Sequence, residues 1–290
     1  MKYRASKLIC RKCEMSYPVI GGIPRFLNDA PPDLKLSIEK WNSLYEKQLK
    51  TRQYEKDFVA YKNMYFQETY EQLKTSKRFA GSAYLEIGSG PFFMGQLIAK
   101  ECSVVIGIDI TPAALKVAKT MLEKNHIHNY LLIQGDILNL PITSDAIDLI
   151  YGGGVIEHFK NTQVCVNELY RVLAKRGVSF NSVPMLNVGS LTYRQVWGNI
   201  PNAPIIKQIA EFVHIRLLGS RHMTYGYEFS FMPSTLRKIH KNAGFRKILI
   251  DRFRVKLVFE FVPAFLRGTL IRFATNSPLF WPMVKVIAEK

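Results

Sequence analysis

Three acidic residues stand at the ends of apolar runs, where a carboxylate has chemical use. Glu86 lies two residues ahead of the glycine pair in "YLEIGSGPFFMG", Asp109 closes "VVIGID", and Asp136 follows "LLIQG". A strand that breaks into a Gly-x-Gly turn and then a helix presents backbone N–H groups to a polar ligand at the helix start. Gly88, Ser89 and Gly90 form that turn. A dinucleotide site would need a third glycine where Phe93 stands, which argues against a nicotinamide cofactor. Glu86 would repel a pyrophosphate but attract a cationic aminoacyl group. Asp109 is placed to accept hydrogen bonds from both ribose hydroxyls, and Asp136 to receive an adenine amino group. The ligand these residues describe is a nucleoside with a cationic arm.

The elements that must position them follow from periodicity. Apolar runs at 84–87, 104–108, 130–133, 147–151 and 178–183 alternate with helical segments, which predicts parallel strands with crossover helices on both faces. The spacing predicts a helix over Thr111–Asn125, with Thr111 as its cap and Pro112 in its first turn. Residues 33–79 read as helical: Trp41, Leu44, Tyr45 and Leu49 make one apolar stripe, and Tyr54, Phe58, Tyr61 and Tyr65 the next. Core packing accounts for most of these aromatics, and one tyrosine is left to roof the ligand. After Pro184 the pattern lapses until a helix at 233–245, a strand at 246–253 and a last strand at 283–290. Residues 184–232 therefore read as an inserted lid.

The series "LEIGSGP…GIDIT…GDILNLPITSDAIDLIYGGGVIEHF…NELYRVL…RGV" resembles the class I S-adenosylmethionine-dependent methyltransferases, in particular the type 11 branch that includes ubiquinone-pathway enzymes. The resemblance covers residues 82–183 in order, and "VKVIAEK" is similar to that family's last strand. It implies a Rossmann-like α/β fold: a seven-stranded, mostly parallel sheet with helices on both faces, an N-terminal helical cap and an inserted lid. It implies S-adenosylmethionine as cofactor, with Glu86, Gly88, Ser89 and Gly90 at the methionine part. Asp109 and Ile110 would hold the ribose, Asp136 and Ile137 the adenine, and Gly152 would approach the cofactor. Phe92 departs from the small residue usual there. Its ring is expected in the helix–sheet interface, because a ring over the pocket would leave Asp109 and Asp136 without a ligand.

A sulfonium methyl is already activated, so the protein must align an acceptor and exclude water. The acceptor site is expected past the carboxyl end of the fourth strand, at "YGGGVIEHF", where Gly152–Gly154 let the backbone come close. Glu157 and His158 would open the next helix there. His158 reads as a base or orienting group, or as a capping and packing residue. Glu157 reads as a catalytic partner, or as a charge complementing a helix dipole. In the ubiquinone-pathway enzymes this pair helps to bind a metal with a carboxylate three residues earlier; here that position is Gly154, and no metal is expected. In the lid, His222, Tyr225, Tyr227 and Glu228 are candidates to line an acceptor pocket, with ordinary lid packing as the alternative. His126, His128, His214 and His240 read as surface or packing residues, and Cys102 and Cys165 as core thiols.

Domain boundaries are expected at 1–30 for a turn-rich front module, 31–80 for the helical cap, and 81–290 for the methyltransferase domain with its lid at 184–232. The front module carries Cys10-x-x-Cys13 and then Gly22-Ile23-Pro24. It resembles the second half of a zinc-ribbon-like module, and the activator subunit of certain tRNA and release-factor methyltransferases. A closed zinc site takes four ligands, and two are present, so the ribbon has lost its metal or the start is truncated. Four scattered cysteines, and no apolar signal run at the start, are expected of a cytoplasmic protein. No window of about 18 uncharged apolar residues predicts a spanning helix.

The net charge of +17 is uneven. Residues 1–80 hold sixteen Lys and Arg against nine Asp and Glu, residues 81–183 eight against nine, and residues 184–290 sixteen against five. The cofactor core is neutral and the flanks are basic, as a solvated surface or as a docking surface for an anionic partner. The tail "VFEFVPAFLRGTLIRFATNSPLFWPM" interleaves apolar residues with Arg267 and Arg272; it suits peripheral contact with the inner membrane face, or a helical hairpin packed on the sheet edge. The leading expectation is O- or N-methylation of a small-molecule, lipid-linked or glycan acceptor. The alternative is an RNA methyltransferase using the basic flanks as a phosphate track, against which no RNA-binding module is recognised. A non-catalytic binding protein is disfavoured by the intact Glu86, Asp109 and Asp136. The oligomeric state is left open by the sequence.

Overall fold

The run Tyr84–Ile87 is buried at every position, as expected of a strand covered by helices on both faces of a parallel sheet. The computed structural model describes the chain apart from residues 1, 5, 12, 28–34, 63–65, 77–78, 192–199, 202–203, 218–227 and 256–262. Four short strands come first: β1 (Lys2–Arg4), β2 (Lys7–Ile9), β3 (Ser16–Ile20) and β4 (Ile23–Pro24). Helices α1 (Lys35–Thr51), α2 (Gln53–Tyr61) and α3 (Gln67–Ser76) follow. The alternating region then gives β5 (Ala83–Ile87), α4 (Phe93–Ile98), β6 (Val104–Asp109), α5 (Pro112–Lys124), β7 (Tyr130–Gln134), β8 (Ile147–Gly153), α6 (Thr162–Val172) and β9 (Leu173–Pro184). The last part contains α7 (Val188–Leu191), β10 (Ile200–Pro201), α8 (Pro204–Glu211), β11 (Phe229–Ser230), α9 (Pro233–Ala243), β12 (Lys247–Phe253), α10 (Ala264–Asn276) and β13 (Met283–Glu289). The main sheet has seven strands in the order β12-β13-β9-β8-β5-β6-β7. It is mostly parallel; β13 runs antiparallel to both β9 and β12.

The chain divides into two compact units, residues 1–151 with 171–177, and residues 152–170 with 178–290. In the first unit the front module is a four-stranded antiparallel sheet that does not stand apart. Arg25 pairs in parallel with Gln134, and the Phe26 N–H donates to the Gln134 carbonyl at 2.8 Å. Lys119 Nζ on α5 donates to the Gly21 carbonyl at 2.6 Å. The module thus covers the open edge of β7, whose N–H and C=O groups would otherwise invite another chain. The helical cap packs Tyr54 onto Phe93, Val117 and Met121, with Tyr45, Leu49, Phe58 and Phe66 around them. The expected stripe is thereby realised at Tyr54 and Phe58, while the side chains of Tyr61 and Tyr65 lie outside the described residues.

Helix α5 corrects one expectation. Thr111 stands at its N-cap position, but its side chain does not cap the helix. The hydroxyl is turned to Asp109 instead, and Asn42 Oδ1 of α1 accepts from the Ala113 N–H at 3.1 Å. The cap comes from a helix 71 residues earlier, a partner that a local capping rule has no means of finding.

Phe92 settles into the helix–sheet interface, as expected. Its φ is +60°, and its side chain is fully buried. A Cβ at Gly95 would lie 2.2 Å from the ring, and one at Gly107 would lie 3.0 Å from it. The two glycines are the hole that the ring fills.

In the second unit, residues 178–184 of β9 pair with β13, Met283 opposite Pro184, and β13 pairs with β12, Lys247 opposite Glu289. Residues 200–230 contain a two-stranded parallel ribbon, Ile200 opposite Phe229, and α8 runs on into a wider π-helical segment at Phe212–Leu217. His240 on α9 is buried; its Nδ1 lies 2.8 Å from the Leu236 carbonyl, and burial holds its pKa down at about 4. His126 and His128 are exposed, and Cys102 and Cys165 are buried thiols.

The Phe92 contact predicts non-additivity. Phe92→Ala should destabilise by about 3–5 kcal/mol through the cavity it leaves. Gly95→Ala should destabilise by about 1–3 kcal/mol through overpacking, yet cost about nothing in the Phe92→Ala background. Urea denaturation of the four proteins measures this; additive losses would contradict the packing described.

Candidate functional site

The turn after β5 is held by the carboxylate that ends β6. Gly88 and Gly90 have φ of +53° and +50°, a left-handed backbone that glycine adopts without a Cβ penalty. The Gly90 N–H then donates to Asp109 Oδ2 at 2.8 Å, and the Thr111 N–H to Asp109 Oδ1 at 2.7 Å. The Ser89 N–H donates to the Ile108 carbonyl at 3.0 Å. Asp109 is buried, which raises its pKa, and the Thr111 and Gly90 N–H groups oppose that rise. A carboxylate has about four acceptor positions. The Gly90 and Thr111 N–H groups take one on each oxygen, and the Thr111 hydroxyl and the Ile110 N–H also turn to this carboxylate.

Glu86 is buried under the same turn. Its Oε2 accepts from the Gly95 N–H at 2.8 Å and from the Tyr84 hydroxyl at 3.1 Å. Burial is the main cause that pushes its carboxyl up to about 8; the Gly95 N–H and the Tyr84 hydroxyl oppose it, and Asp109 adds to it. A buried acid of this kind is a ready counter-ion for a ligand that brings its own positive charge.

Ser89 supplies an independent sign of a missing ligand. Its hydroxyl is buried and has no hydrogen-bond partner among the described residues. Buried polar atoms are normally paired, so an orphan in a glycine turn marks a place where a polar ligand group belongs. Tyr45 of α1 reaches over the turn: its Oη lies 2.9 Å from where a Cβ at Gly90 would stand. Tyr45 is thus the tyrosine that stands over this turn. Around the second and third strand ends, Gln134 Nε2 donates to the Ile110 carbonyl at 3.0 Å. Asp136 Oδ1 accepts from the Leu138 N–H at 2.9 Å and caps the turn Ile137–Asn139, with Ile137 buried. These residues of the first unit fit a nucleoside cofactor with a cationic arm.

At the end of β8, Glu86 pairs with Tyr151, and Gly152 is the next residue along the chain. Gly154 has φ of +75°, and its N–H donates to the Ser182 carbonyl at 3.0 Å. Glu157 and His158 do not open a helix, contrary to expectation. They belong to a separate 3-10 turn, Ile156–His158, and α6 starts only at Thr162. Glu157 is 2% exposed, so it is not a surface charge complementing the α6 dipole. A Cβ at Gly154 would lie 3.5 Å from Glu157 Oε1, so the missing family carboxylate would have faced this one. His158 is half-buried. Strand β11 packs against this turn.

Of the four lid candidates, His222, Tyr225 and Tyr227 lie outside the described residues. Glu228 is described: its carbonyl accepts from the Ile200 N–H at 2.9 Å, within the lid ribbon. Cys10 is half-buried and Cys13 exposed, and neither is in a disulfide. Among the described residues no group of three or more His, Cys, Asp or Glu is placed to hold a metal. Asn42, Tyr45 and Gln134 were not singled out by sequence reasoning. Only the helical stripe containing Tyr45 gave any signal.

A methyltransferase-domain family model matches residues 78–189. Malonyl-[acyl-carrier protein] O-methyltransferase of Serratia marcescens is 30% identical over 188 residues, covering 60% of this chain and 71% of that protein. Arsenite methyltransferase of Halobacterium salinarum is 30% identical over 100 residues, 33% of this chain. The chain spans only 26% of that protein, and 42% of the methyltransferase YcgJ of Bacillus subtilis. Among solved structures, YcgJ aligns with a TM-score of 0.50 at 18% identity, over 76% of this chain and 96% of its own. Phosphoethanolamine N-methyltransferase 2 of Haemonchus contortus, in complex with S-adenosyl-L-methionine, aligns with a TM-score of 0.55 at 17% identity, over 85% of this chain and 60% of its own.

The raised pKa of Glu86 gives a signed prediction. A cationic cofactor arm needs the carboxylate, so binding should release a proton, and affinity should rise about tenfold per pH unit between pH 6 and 7. The same linkage makes stability in the absence of cofactor fall as pH rises from about 4.5 toward about 8. Glu86→Gln keeps an acceptor for the Gly95 N–H and should flatten the binding profile. Calorimetry in two buffers of different ionisation heat checks it; a pH-independent wild-type affinity would contradict the role of Glu86.

Proposed function

Because the chain belongs to the class I S-adenosylmethionine-dependent methyltransferases, we propose that it methylates a small or lipid-linked acceptor at an oxygen or nitrogen, with the Ile156–His158 turn as the acceptor-side element. When bound, the cofactor supplies a methyl group already activated on sulfur. Glu86 holds the cationic arm, Ser89 and Gly90 line the turn, and Asp109 fixes the ribose hydroxyls. Asp136 and Ile137 take the adenine, Asp136 as the acceptor for its amino group. Tyr45 shields the turn from water.

On the acceptor side, a hydroxyl must lose its proton as its oxygen takes the methyl group, and a ring nitrogen of His158 is the group proposed to receive that proton. For an amine acceptor the same nitrogen orients the attacking lone pair. Glu157, buried one residue earlier, is proposed to orient His158 rather than to touch the acceptor. The 3-10 geometry supports this division, since it leaves His158 half-buried while it buries Glu157.

The observation that carries the acceptor class is the lid. On α8 and its π-helical continuation, Ile205, Ile206, Ile209 and Phe212 lie on one face and are all turned to solvent, Ile205 at 75% exposure. The polar Lys207 is instead turned inward, its Nζ 4.7 Å from the centroid of the Phe229 ring. A helix with its apolar face outward, hung on the ribbon that touches the His158 turn, suits an acceptor with an apolar portion better than a polyphosphate track. Relatives are named for malonyl-[acyl-carrier protein] and for arsenite, and a structural neighbour for phosphoethanolamine. They support a small or carrier-bound acceptor.

Transfer of tritiated methyl from S-adenosylmethionine into a cell extract, fractionated into lipid, small-molecule, RNA and protein pools, tests this. Label should enter the lipid or small-molecule pool; label confined to RNA would replace the proposal with the nucleic-acid alternative. His158→Ala should lower turnover by about 10²–10⁴-fold with cofactor affinity unchanged. Unchanged turnover would return His158 to a packing role.

A further inference from the structure

Helix α10 is built the wrong way round for a helix that serves only to cover a core. Its inward side is small: Ala274 is buried with Val255, and Ile271 packs on that pair together with Phe280. Its larger apolar residues point away from the core. Phe265 is 81% exposed and Phe273 57%, and Leu266 and Leu270 are exposed beside them. In an α-helix, positions i, i+1, i+5 and i+8 fall on one side, so these four make a single stripe rather than scattered exceptions. Isolated exposed apolar residues are ordinary, but a contiguous stripe on one helix marks a surface that something covers.

The charge around the stripe says what covers it. Helix α10 contains Arg267 and Arg272 and no acidic residue. Arg272 is exposed and lies beside Phe265 on the helical wheel. Arg252, exposed on β12, donates through Nη1 to the Thr275 carbonyl in the last turn of the helix at 3.4 Å. The whole segment 184–290 carries sixteen basic against five acidic residues. No helix among the described residues is long and apolar enough to cross a membrane. An apolar face bordered by arginines, too short to span, is the chemistry of a helix that lies in the plane of an anionic lipid surface, its rings among the acyl chains and its guanidinium groups at the phosphates.

We infer that the outer face of α10, formed by Phe265, Leu266, Leu270 and Phe273 with Arg272 at its border, docks this protein on an anionic membrane surface. The inference stands on the packing and charge of α10 and does not require that the methyl acceptor be a lipid.

Flotation of the full chain with phosphatidylglycerol–phosphatidylcholine vesicles, against phosphatidylcholine vesicles alone, tests it. The wild type should float with the anionic vesicles and stay behind with the neutral ones, and salt should weaken the binding. Phe265→Ser with Phe273→Ser, at positions already in solvent, should keep the circular dichroism spectrum and reduce the bound fraction at least tenfold. Arg272→Glu should reduce it further at low salt than at high salt. Failure of the wild type to float, or flotation unaffected by the serine pair, would overturn the inference. Self-association of the wild type that the serine pair abolishes, without flotation, would also overturn it, in favour of a second copy of this chain on that face.

Discussion

The glycine turn after β5 depends on one carboxylate. Asp109 ends β6, yet it accepts the N–H of Gly90 after β5 and the N–H of Thr111 at the start of α5. Two strand tips and a helix start are tied through a single buried group. Hydrogen bonds to an ionised acceptor are stronger than neutral ones, and here they also counter the desolvation that raises the Asp109 pKa. The positive φ of Gly88 and Gly90 is part of the same arrangement, because residues with a Cβ adopt that backbone only under strain.

A second layer keeps the first in place. The ring of Phe92 fills the space left by Gly95 and Gly107, which fixes the distance between α4 and the sheet. Glu86 then reaches the Gly95 N–H and anchors the start of α4 from below. From the other side, α1 supplies Asn42 to the first turn of α5 and Tyr45 to the neighbourhood of Gly90. Helix α1 is therefore a wall of this turn, and the front strands continue that wall along β7 as far as Gln134. The Ile156–His158 turn draws on different means: a short 3-10 segment, a left-handed Gly154 and strand β11 packed against it.

The sheet was legible in the amino-acid sequence because period-two apolar runs and their spacing report burial directly. The strands from β5 to β9 fall on the expected runs, with ends that differ by up to five residues. Glu86, Asp109 and Asp136 were legible for a related reason, since each stands at a strand end where local chain direction fixes its neighbourhood. What escaped was set by distant partners. Asn42 and Ala113 are 71 residues apart, and Arg25 meets Gln134 across more than a hundred; neither leaves a local trace. The sequence Glu157-His158 suggested a helix start, whereas Thr162 begins α6 and Glu157 is turned inward. The outward apolar face of α8 escaped, and that of α10 was left open between a membrane contact and a packed hairpin, because amphipathic spacing tells which residues share a face but not whether that face looks at the core or at solvent.

The most direct test of the account is the affinity of the purified chain for S-adenosylhomocysteine, measured by titration calorimetry for the wild type and for Asp109→Ala. Saturable binding is predicted for the wild type, weakened at least about a hundredfold in the variant by the loss of charge-assisted hydrogen bonds. Equal affinity in the two proteins, or no binding by the wild type, would contradict it.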